Sequence, residues 1–391
     1  MEEKKQYYQE SKPFVKVSLV IGLVGLFFAA LGYFVDSKQF YYSYLNAFVF
    51  WTSIMLGGLF FTMLHHISGA VWSTVLRRLF ESAMITVPIM AIFFIPIIFG
   101  IHDLYHWSHK DLIATDILLQ KKSTYLNPSF FIIRTFTYFL IWYLLARTLY
   151  KISLQQDSNH KTKHVKKMRT WSAPGIVLFA LSITFAAYDW LMSLDAHWYS
   201  TIFGVYIFAG SFHGFTAFLV LIGLTLRKKG ILANTISKEH YHDLGKFLFA
   251  FTIFWGYMAF SQYFLIWYAN IPEETIWYFH RWEGTWKYIT LLLVFGHFLI
   301  PFIGLMPRAA KRNMNYLKFM SAWILIMHFF DLYWIIFPTI HEHEIHFSWM
   351  DIAALLGIGG IFLWYFWLRY LSHALVPVND PHLDDSIKFT T

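Results

Sequence analysis

Long apolar stretches alternate with short polar segments along almost the whole chain. Ten of these stretches are long enough, or nearly so, to cross about 30 Å of hydrocarbon as helices. We predict these spans at Phe14–Phe34, Tyr44–His66, Ala83–Gly100, Ser129–Ala146, Trp171–Leu194, Tyr199–Leu226, Phe247–Ala269, Tyr288–Met306, Phe319–Phe337 and Trp349–Leu371. The pattern therefore predicts an all-α integral membrane protein whose residues 1–391 form a single polytopic membrane domain.

A weak internal similarity indicates how the ten helices are organised. The second and sixth spans each carry two glycines before a histidine: Gly57, Gly58 and His65 in one, and Gly204, Gly210 and His213 in the other. This similarity favours two four-helix bundles, spans two to five and spans six to nine, with the first and last spans as two peripheral helices.

Composition supports the membrane interpretation. Hydrophobic residues make up 57% of the chain and charged residues 14%, whereas about a quarter of residues are charged in ordinary soluble proteins. The charged N-terminal segment precedes an apolar run that lacks a small-residue cleavage site, which is typical of a retained first span. The chain has no cysteine, which excludes disulfides, Cys-ligated iron–sulfur clusters, c-type haem attachment and thiolate zinc sites.

The net charge is +8, and the basic residues are distributed as membrane topology requires. If the N-terminus is cytoplasmic, 24 of the 31 lysines and arginines lie on the cytoplasmic side, as the positive-inside rule requires. Both termini are then cytoplasmic. The basic segments NHKTKHVKKMR and RKKG are typical of stop-transfer clusters beside anionic lipid headgroups. We therefore expect membrane lipid, and no nucleic acid, as their partner.

Several ionisable residues fall inside the predicted spans or at their edges, where they are costly and need an explanation. They are His213, His297 and His328 near mid-membrane, Asp189 and Asp331 toward the outer ends, and His65, His66 and Glu81 toward the inner ends. His328 and Asp331 are three residues apart, so they share one helical face and the carboxylate can orient the imidazole.

Three interpretations of this set remain open. The residues can form interrupted proton-conducting half-paths, since paired and wetted His and Asp side chains exchange protons near neutral pH. Two histidines can instead ligate a b-type haem, although no helix pair shows two histidines at clearly matched depth. They can also make helix–helix hydrogen bonds worth about 0.6–2 kcal/mol each. We identify no catalytic residue.

The outer loops contain histidines at metal-like spacings. These are His102, His106 and His109, and then His341, His343 and His346 beside Glu342 and Glu344. A helix would place His102 and His106 on one face, but no defined third ligand accompanies them. We therefore predict that these histidines make loop or subunit contacts and do not bind a metal. The aqueous segments also lack a Walker loop, a dinucleotide fingerprint and a serine-hydrolase elbow, which argues against ATP-driven transport.

The segment Tyr188–Ser211, YDWLMSLDAHWYSTIFGVYIFAGS, resembles a signature of the membrane subunits of alternative complex III. That complex is the quinol:cytochrome c oxidoreductase of bacteria that lack the usual bc-type complex. Chain length, ten spans and polarity suit the smaller of its two NrfD-like, polysulfide-reductase-type subunits.

The resemblance implies a protein of the bacterial cytoplasmic membrane with a structural role. A second role in proton translocation would fit the same family. It implies as partners a second NrfD-like subunit, an iron–sulfur subunit and multihaem cytochrome c subunits. Menaquinol or another quinol, haem c and iron–sulfur clusters are then expected in the complex, with none bound by this chain. Two alternatives stay open: this chain binds the quinol itself, or it is a free-standing secondary transporter.

Overall fold

The computed structural model describes residues 2–158 and 163–390, with side chains from residue 13 onward. Residues 159–162 of the predicted basic loop, and the side chains of the predicted basic N-terminal arm, lie outside the described residues. Within the described part, every regular element is helical. The predicted all-α class is therefore confirmed.

Ten helices are long and apolar enough to cross a membrane, which confirms the predicted number. We label them α1 (Pro13–Val35), α2 (Ser37–Ser68), α3 (Trp72–Phe99), α4 (Pro128–Ser158), α5 (Lys163–Leu194), α6 (Phe203–Lys228), α7 (Lys238–Ala269), α8 (Trp286–Leu305), α9 (Met314–Thr339) and α10 (Trp349–Leu371). Several extend beyond the apolar runs because the helix continues where polar side chains can be solvated or paired. The protein is thus a multi-pass membrane protein.

The ends of the helices define two faces. The terminal face holds residues 69–71, 229–237, 306–313 and 372–390, and the loop face holds residues 100–127, 195–202, 270–285 and 340–348. The long connection on the loop face contains four short helical segments, Ile101–Leu104, His106–Ser108, Lys110–Thr115 and Ile117–Lys122. Its buried Trp107 donates to the Ser193 carbonyl at 3.1 Å, which fastens the connection over the end of α5.

The helices pack in two groups. In the first, α2 contacts α3 and α5, and α4 packs along α5; in the second, α6 contacts α7 and α9, and α8 packs against α9. The two most buried helices, α2 and α6, contact each other and join the groups. This agrees with two four-helix bundles.

Close backbone approaches explain the glycines of these contacts. A Cβ atom on Gly57 of α2 would lie 2.2 Å from Phe215 Cβ of α6, so only glycine fits at this crossing. A Cβ atom on Gly25 of α1 would lie 2.4 Å from the backbone nitrogen of Gly357 in α10. Small residues let membrane helices pack closely, and α1 therefore packs along α10, which in turn packs on α2.

Candidate functional site

Asp331 is the centre of a buried polar cluster in the second bundle. The Tyr206 hydroxyl of α6 donates to Asp331 Oδ1, and the Trp255 indole of α7 donates to Oδ2 at 3.1 Å. The carboxyl group is almost fully buried. Among the described residues, no lysine, arginine or histidine forms an ion pair with it. Asp331 is thus held by two neutral donors, an unusual state for a carboxyl group inside a membrane span.

His297 packs directly against this cluster. Its ring stacks on Trp255 with centroids 3.9 Å apart, and neither ring nitrogen has a hydrogen-bond partner although the side chain is fully buried. A neutral imidazole always carries one N–H donor and one acceptor. Leaving both unpaired costs free energy, so such a group calls for a functional explanation.

The local backbone explains the position of His297. It lies in a π-helical segment, Leu293–Leu299, in which the Ile300 N–H donates to the Phe295 carbonyl five residues earlier. Pro301 follows His297 by four residues and has no N–H to donate to the His297 carbonyl, so a regular α-helix cannot form there. Single π turns inside α-helices are often found at functional sites.

His213 of α6 also packs against His297. The two rings are nearly parallel, with centroids 5.5 Å apart. The single Thr252 hydroxyl proton is donated to the Leu248 carbonyl at 2.8 Å, so this oxygen accepts from His213 Nε2 at 3.1 Å. His213 Nδ1 is then the unprotonated nitrogen, and it has no partner.

The geometry of this histidine pair bears on the haem alternative. His213 and His297 present their ring faces to each other at 5.5 Å. Two histidines that ligate a haem must instead direct nitrogen atoms at a shared iron with the macrocycle between them. The pair therefore lacks the arrangement that a b-type haem needs.

His328, one turn before Asp331 on α9, joins the two bundles. The Ser53 hydroxyl of α2 donates to the Phe50 carbonyl at 2.6 Å, so it accepts from His328 Nε2 at 2.8 Å. A Cβ atom on Gly214 of α6 would lie 2.9 Å from His328 Cδ2. The ring thus occupies space that a glycine leaves open, and its Nδ1 atom is buried without a partner.

These contacts bring four of the eight predicted residues into one region. Trp255 touches both Asp331 and His297, His297 stacks on His213, and His328 lies on the same face of α9 as Asp331. The residues that complete the cluster, Tyr206, Trp255, Thr252 and Ser53, were not identified from the sequence. Tyr206 lies in the Tyr188–Ser211 segment, but no spacing rule connects the other three to the histidines.

A second polar group lies between this cluster and the loop face. The Ser200 hydroxyl donates to Gln262 Oε1 at 3.0 Å, and Gln262 Nε2 donates to the Tyr278 hydroxyl at 3.2 Å. Gln262 is buried while Ser200 is partly exposed. Polar side chains thus extend from the loop face into the upper part of the second bundle.

Asp189 is placed differently from Asp331, although both are predicted site residues. Arg134 of α4 forms a bidentate pair with it, at 2.8 and 3.0 Å, and the Tyr138 hydroxyl donates at 2.7 Å. The Arg134 guanidinium also lies 3.8 Å from the centre of the Tyr125 ring. A fully paired and buried carboxylate of this kind joins α4 to α5 and leaves little capacity for proton exchange.

His65, His66 and Glu81 lie together at the terminal-face end of the first bundle. His65 Nδ1 is 2.8 Å from the Ser73 hydroxyl, and the His65 and His66 rings are 4.9 Å apart. Glu81 pairs with Arg78 at 2.7 Å. Phe80, the chain neighbour of Glu81, packs on the His65 ring at 5.5 Å, so these three residues form a terminal-face group.

Aromatic side chains separate that group from the second bundle. Phe61 of α2 packs on Phe212 of α6 at 5.7 Å and on Phe247 of α7 at 5.7 Å. Within residues 13–158 and 163–390, no hydrogen bond joins His65 or His66 to the histidines around Asp331.

Two pairs of histidine rings contact each other on the loop face. His102 and His109 have ring centroids 5.4 Å apart, and His341 and His346 are 5.1 Å apart. Burial lowers the pKa of His341, whose Nε2 lies 2.9 Å from Gln39 Oε1. In the part of the chain that the structure describes, no group of three or more His, Cys, Asp or Glu side chains is placed to hold a metal ion.

Arg281 is a buried charge on the loop face that was not among the predicted site residues. It lies outside the spans, and its guanidinium donates to the carbonyls of Trp334 and Ile335 at 3.1 and 2.7 Å. These carbonyls lie at the end of the α-helical part of α9, Met314–Ile336, where a positive charge is favourable. Burial lowers the pKa of Arg281 to about 9.

Comparison of the sequence with models of known protein families found no match, and comparison with curated proteins found none either. The resemblance noted above therefore depends on the Tyr188–Ser211 segment. In the structure this segment supplies Asp189 to the Arg134 pair and Tyr206 and Gly210 to the Asp331 cluster.

Proposed function

We propose that the protein is an integral membrane subunit of a respiratory quinol:cytochrome c oxidoreductase complex, with a structural role and a role in proton translocation. It would correspond to ActF, the smaller NrfD-like subunit of alternative complex III. The proposal assigns it to the bacterial cytoplasmic membrane with the terminal face in the cytoplasm, which agrees with the distribution of lysines and arginines.

The observation that carries the proton-translocating role is the environment of Asp331. An ionised carboxylate inside a span costs at least about 2.5–3.5 kcal/mol on insertion scales. Asp189 offsets this cost with Arg134, whereas Asp331 has only the neutral donors Tyr206 and Trp255. A purely structural carboxyl group would be expected to have a cation, so the neutral environment favours a group that gains and loses a proton.

The histidines next to Asp331 supply acceptors for that proton. His213 and His328 each have one unpartnered nitrogen, and His297 has two. Imidazole nitrogens accept and release protons near physiological pH when their surroundings permit it. Asp331 and these rings would form the loop-face half-path.

The terminal-face half-path would consist of His65 and His66, while Glu81, which Arg77 and Arg78 pair as Arg134 pairs Asp189, would hold those charges in place. Because aromatic rings of α2, α6 and α7 pack between the two groups, the proposal is two interrupted half-paths and not a continuous conductor. A conformational change in the complex would then be needed to connect them.

The partners follow from the same proposal. They are a second NrfD-like subunit, an iron–sulfur subunit and multihaem cytochrome c subunits, while the quinol, haem c and iron–sulfur clusters belong to those chains. Exposed apolar side chains on the loop face, including Ile117, Phe279 and Trp282, support a covered surface there.

Purification in mild detergent tests the proposed function. We expect the protein to co-purify with chains that contain haem c and iron–sulfur clusters, which absorption spectra and mass spectrometry detect. Recovery of an active lone protein would contradict the proposal and would favour a secondary transporter.

A further inference from the structure

The C-terminal segment, residues 372–390, folds back across the terminal face. Its short helix, Leu383–Ile387, brings the Ser386 side chain against the turn Trp72–Leu76 at the start of α3. The Ser386 hydroxyl donates to the Trp72 carbonyl at 2.8 Å and accepts from the Val75 N–H at 3.3 Å. Ser386 is fully buried, so this contact is a built part of the fold.

A buried ion pair provides a second attachment. Asp380 pairs with Arg77, and both side chains are almost fully buried. Arg77 also donates to Gln156 at 2.8 Å, and Asn379 donates to the Asp157 carbonyl at 2.6 Å. Breaking one partner of such a buried pair leaves an uncompensated charge, so it holds the segment firmly.

The segment lies over the terminal-face histidines. Ser73, inside the turn that Ser386 contacts, bonds to His65 at 2.8 Å. Arg77, which Asp380 holds, also lies 3.4 Å from Glu81. His66, which packs on His65, has a buried nitrogen without a partner. Asp380 thus reaches Glu81 through Arg77, and Ser386 is bonded to the turn that contains Ser73, the partner of His65.

The geometry points to a strap: residues 372–390 close the access from the terminal face to His65, His66 and Glu81, and must release before these groups meet water. Asp380 and Ser386 are the two residues that attach it. This inference deepens the proposed function, on which the consequence for proton uptake rests, because it adds control of the terminal-face half-path.

The absence of cysteine makes the strap directly testable. A single Ser73→Cys variant in nanodiscs, where both faces are accessible, is labelled with a water-soluble maleimide. We expect slow labelling in the intact chain and labelling at least ~10-fold faster after Asp380→Asn or after truncation following Ser372, because local opening then exposes the turn. Asp384→Asn, an exposed aspartate of the same segment, should leave the slow rate unchanged.

An Asn234→Cys variant provides the matched label, since Asn234 is exposed on the same face and should react equally in all backgrounds. Equal labelling of position 73 in the intact and truncated chains would overturn the strap. If Asp380→Asn destabilises the whole fold, Ser386→Ala, which changes no charge, replaces it: faster labelling supports the strap and unchanged labelling overturns it. Because the readout needs no proton transport, failure of the proposed function would leave the labelling result standing.

Discussion

The indole nitrogen of Trp255 lies 3.1 Å from Asp331 Oδ2, and the same indole ring stacks on His297 with centroids 3.9 Å apart. One side chain of α7 thus fixes the carboxyl group of α9 and the imidazole of α8. The positions of the two groups are coupled through it, and any change in the charge of Asp331 acts on the ring that His297 contacts.

The Trp255 contact can be tested by removing only the donor. Trp255→Phe keeps an aromatic ring beside His297 but leaves Asp331 with one donor, so we expect the free energy of unfolding to fall by about 1–3 kcal/mol. Denaturant titration in detergent measures the change. Trp267→Phe, which alters a lipid-exposed tryptophan, is the control and should leave stability nearly unchanged.

The same substitution should destabilise the protein at Asp189 but not at Asp331. Asp189→Asn leaves the Arg134 guanidinium without its counter-ion, which typically costs about 3–5 kcal/mol for a buried pair. Asp331→Asn keeps an acceptor for Trp255 and lets its amide donate to the Tyr206 hydroxyl. We expect the first variant to be lost from the membrane and the second to accumulate normally, as immunoblotting measures; equal loss of both would contradict the assignment.

Pro301 should determine the helical register around His297. Pro301→Ala restores the N–H that can donate to the His297 carbonyl, and the π turn should convert to α-helix. Hydrogen exchange measured by mass spectrometry should then show greater protection across residues 293–305. Pro96→Ala in α3 serves as a control that leaves this segment unaffected. Unchanged protection would mean that another contact holds the π turn.

Protonation should open the strap only in acid, so in the isolated protein it should stay closed around neutral pH. Burial opposes ionisation of the Asp380 carboxyl, but the Arg77 guanidinium and the hydrogen bond from the His382 N–H together outweigh it and hold the pKa of Asp380 below its usual value. A depressed carboxyl pKa contributes stability above the unfolded value of about 3.9, and this contribution is lost as pH falls through the folded pKa.

A nitroxide attached through Asp385→Cys reports this opening by electron paramagnetic resonance. We expect constant low mobility between about pH 5 and 8, with an increase only below the usual aspartate pKa of about 3.9. The same label in an Asp380→Asn background should be mobile throughout. A mobility change near pH 6.5 would instead point to a histidine as the controlling group.

The ten spans could be predicted because a helix of about 20 apolar residues is a strong and local signal. The start of α3 could not: Arg77, Arg78 and Glu81 precede the apolar run, so the prediction began at Ala83, whereas the helix begins at Trp72. These charges are buried in the protein because they pair with one another and with distant residues. A hydropathy pattern cannot contain that information.

The ionisable residues of the candidate site could be predicted from their cost inside a membrane span. Their contacts with one another could not. Asp189 and Asp331 have similar sequence surroundings, and Arg134, inside the predicted span Ser129–Ala146, was counted only among the seven basic residues of the outer side. Its pairing with Asp189 spans 55 positions and arises from the packing of α4 on α5. The π turn had a signal in the sequence, namely Pro301 four residues after His297. A pattern of hydrophobic positions does not register this signal.

Proton translocation by the His328→Ala, Asp331→Asn double variant tests the central claim most directly. The complex is reconstituted into liposomes, quinol oxidation is started, and proton movement is followed with a pH-sensitive dye together with cytochrome c reduction. We predict an assembled complex that still reduces cytochrome c while proton translocation per electron falls by at least ~10-fold, because a proton-exchanging carboxyl group and its neighbouring imidazole are lost. Unchanged translocation, or a complex that fails to assemble, would contradict the account and would assign these residues to helix packing.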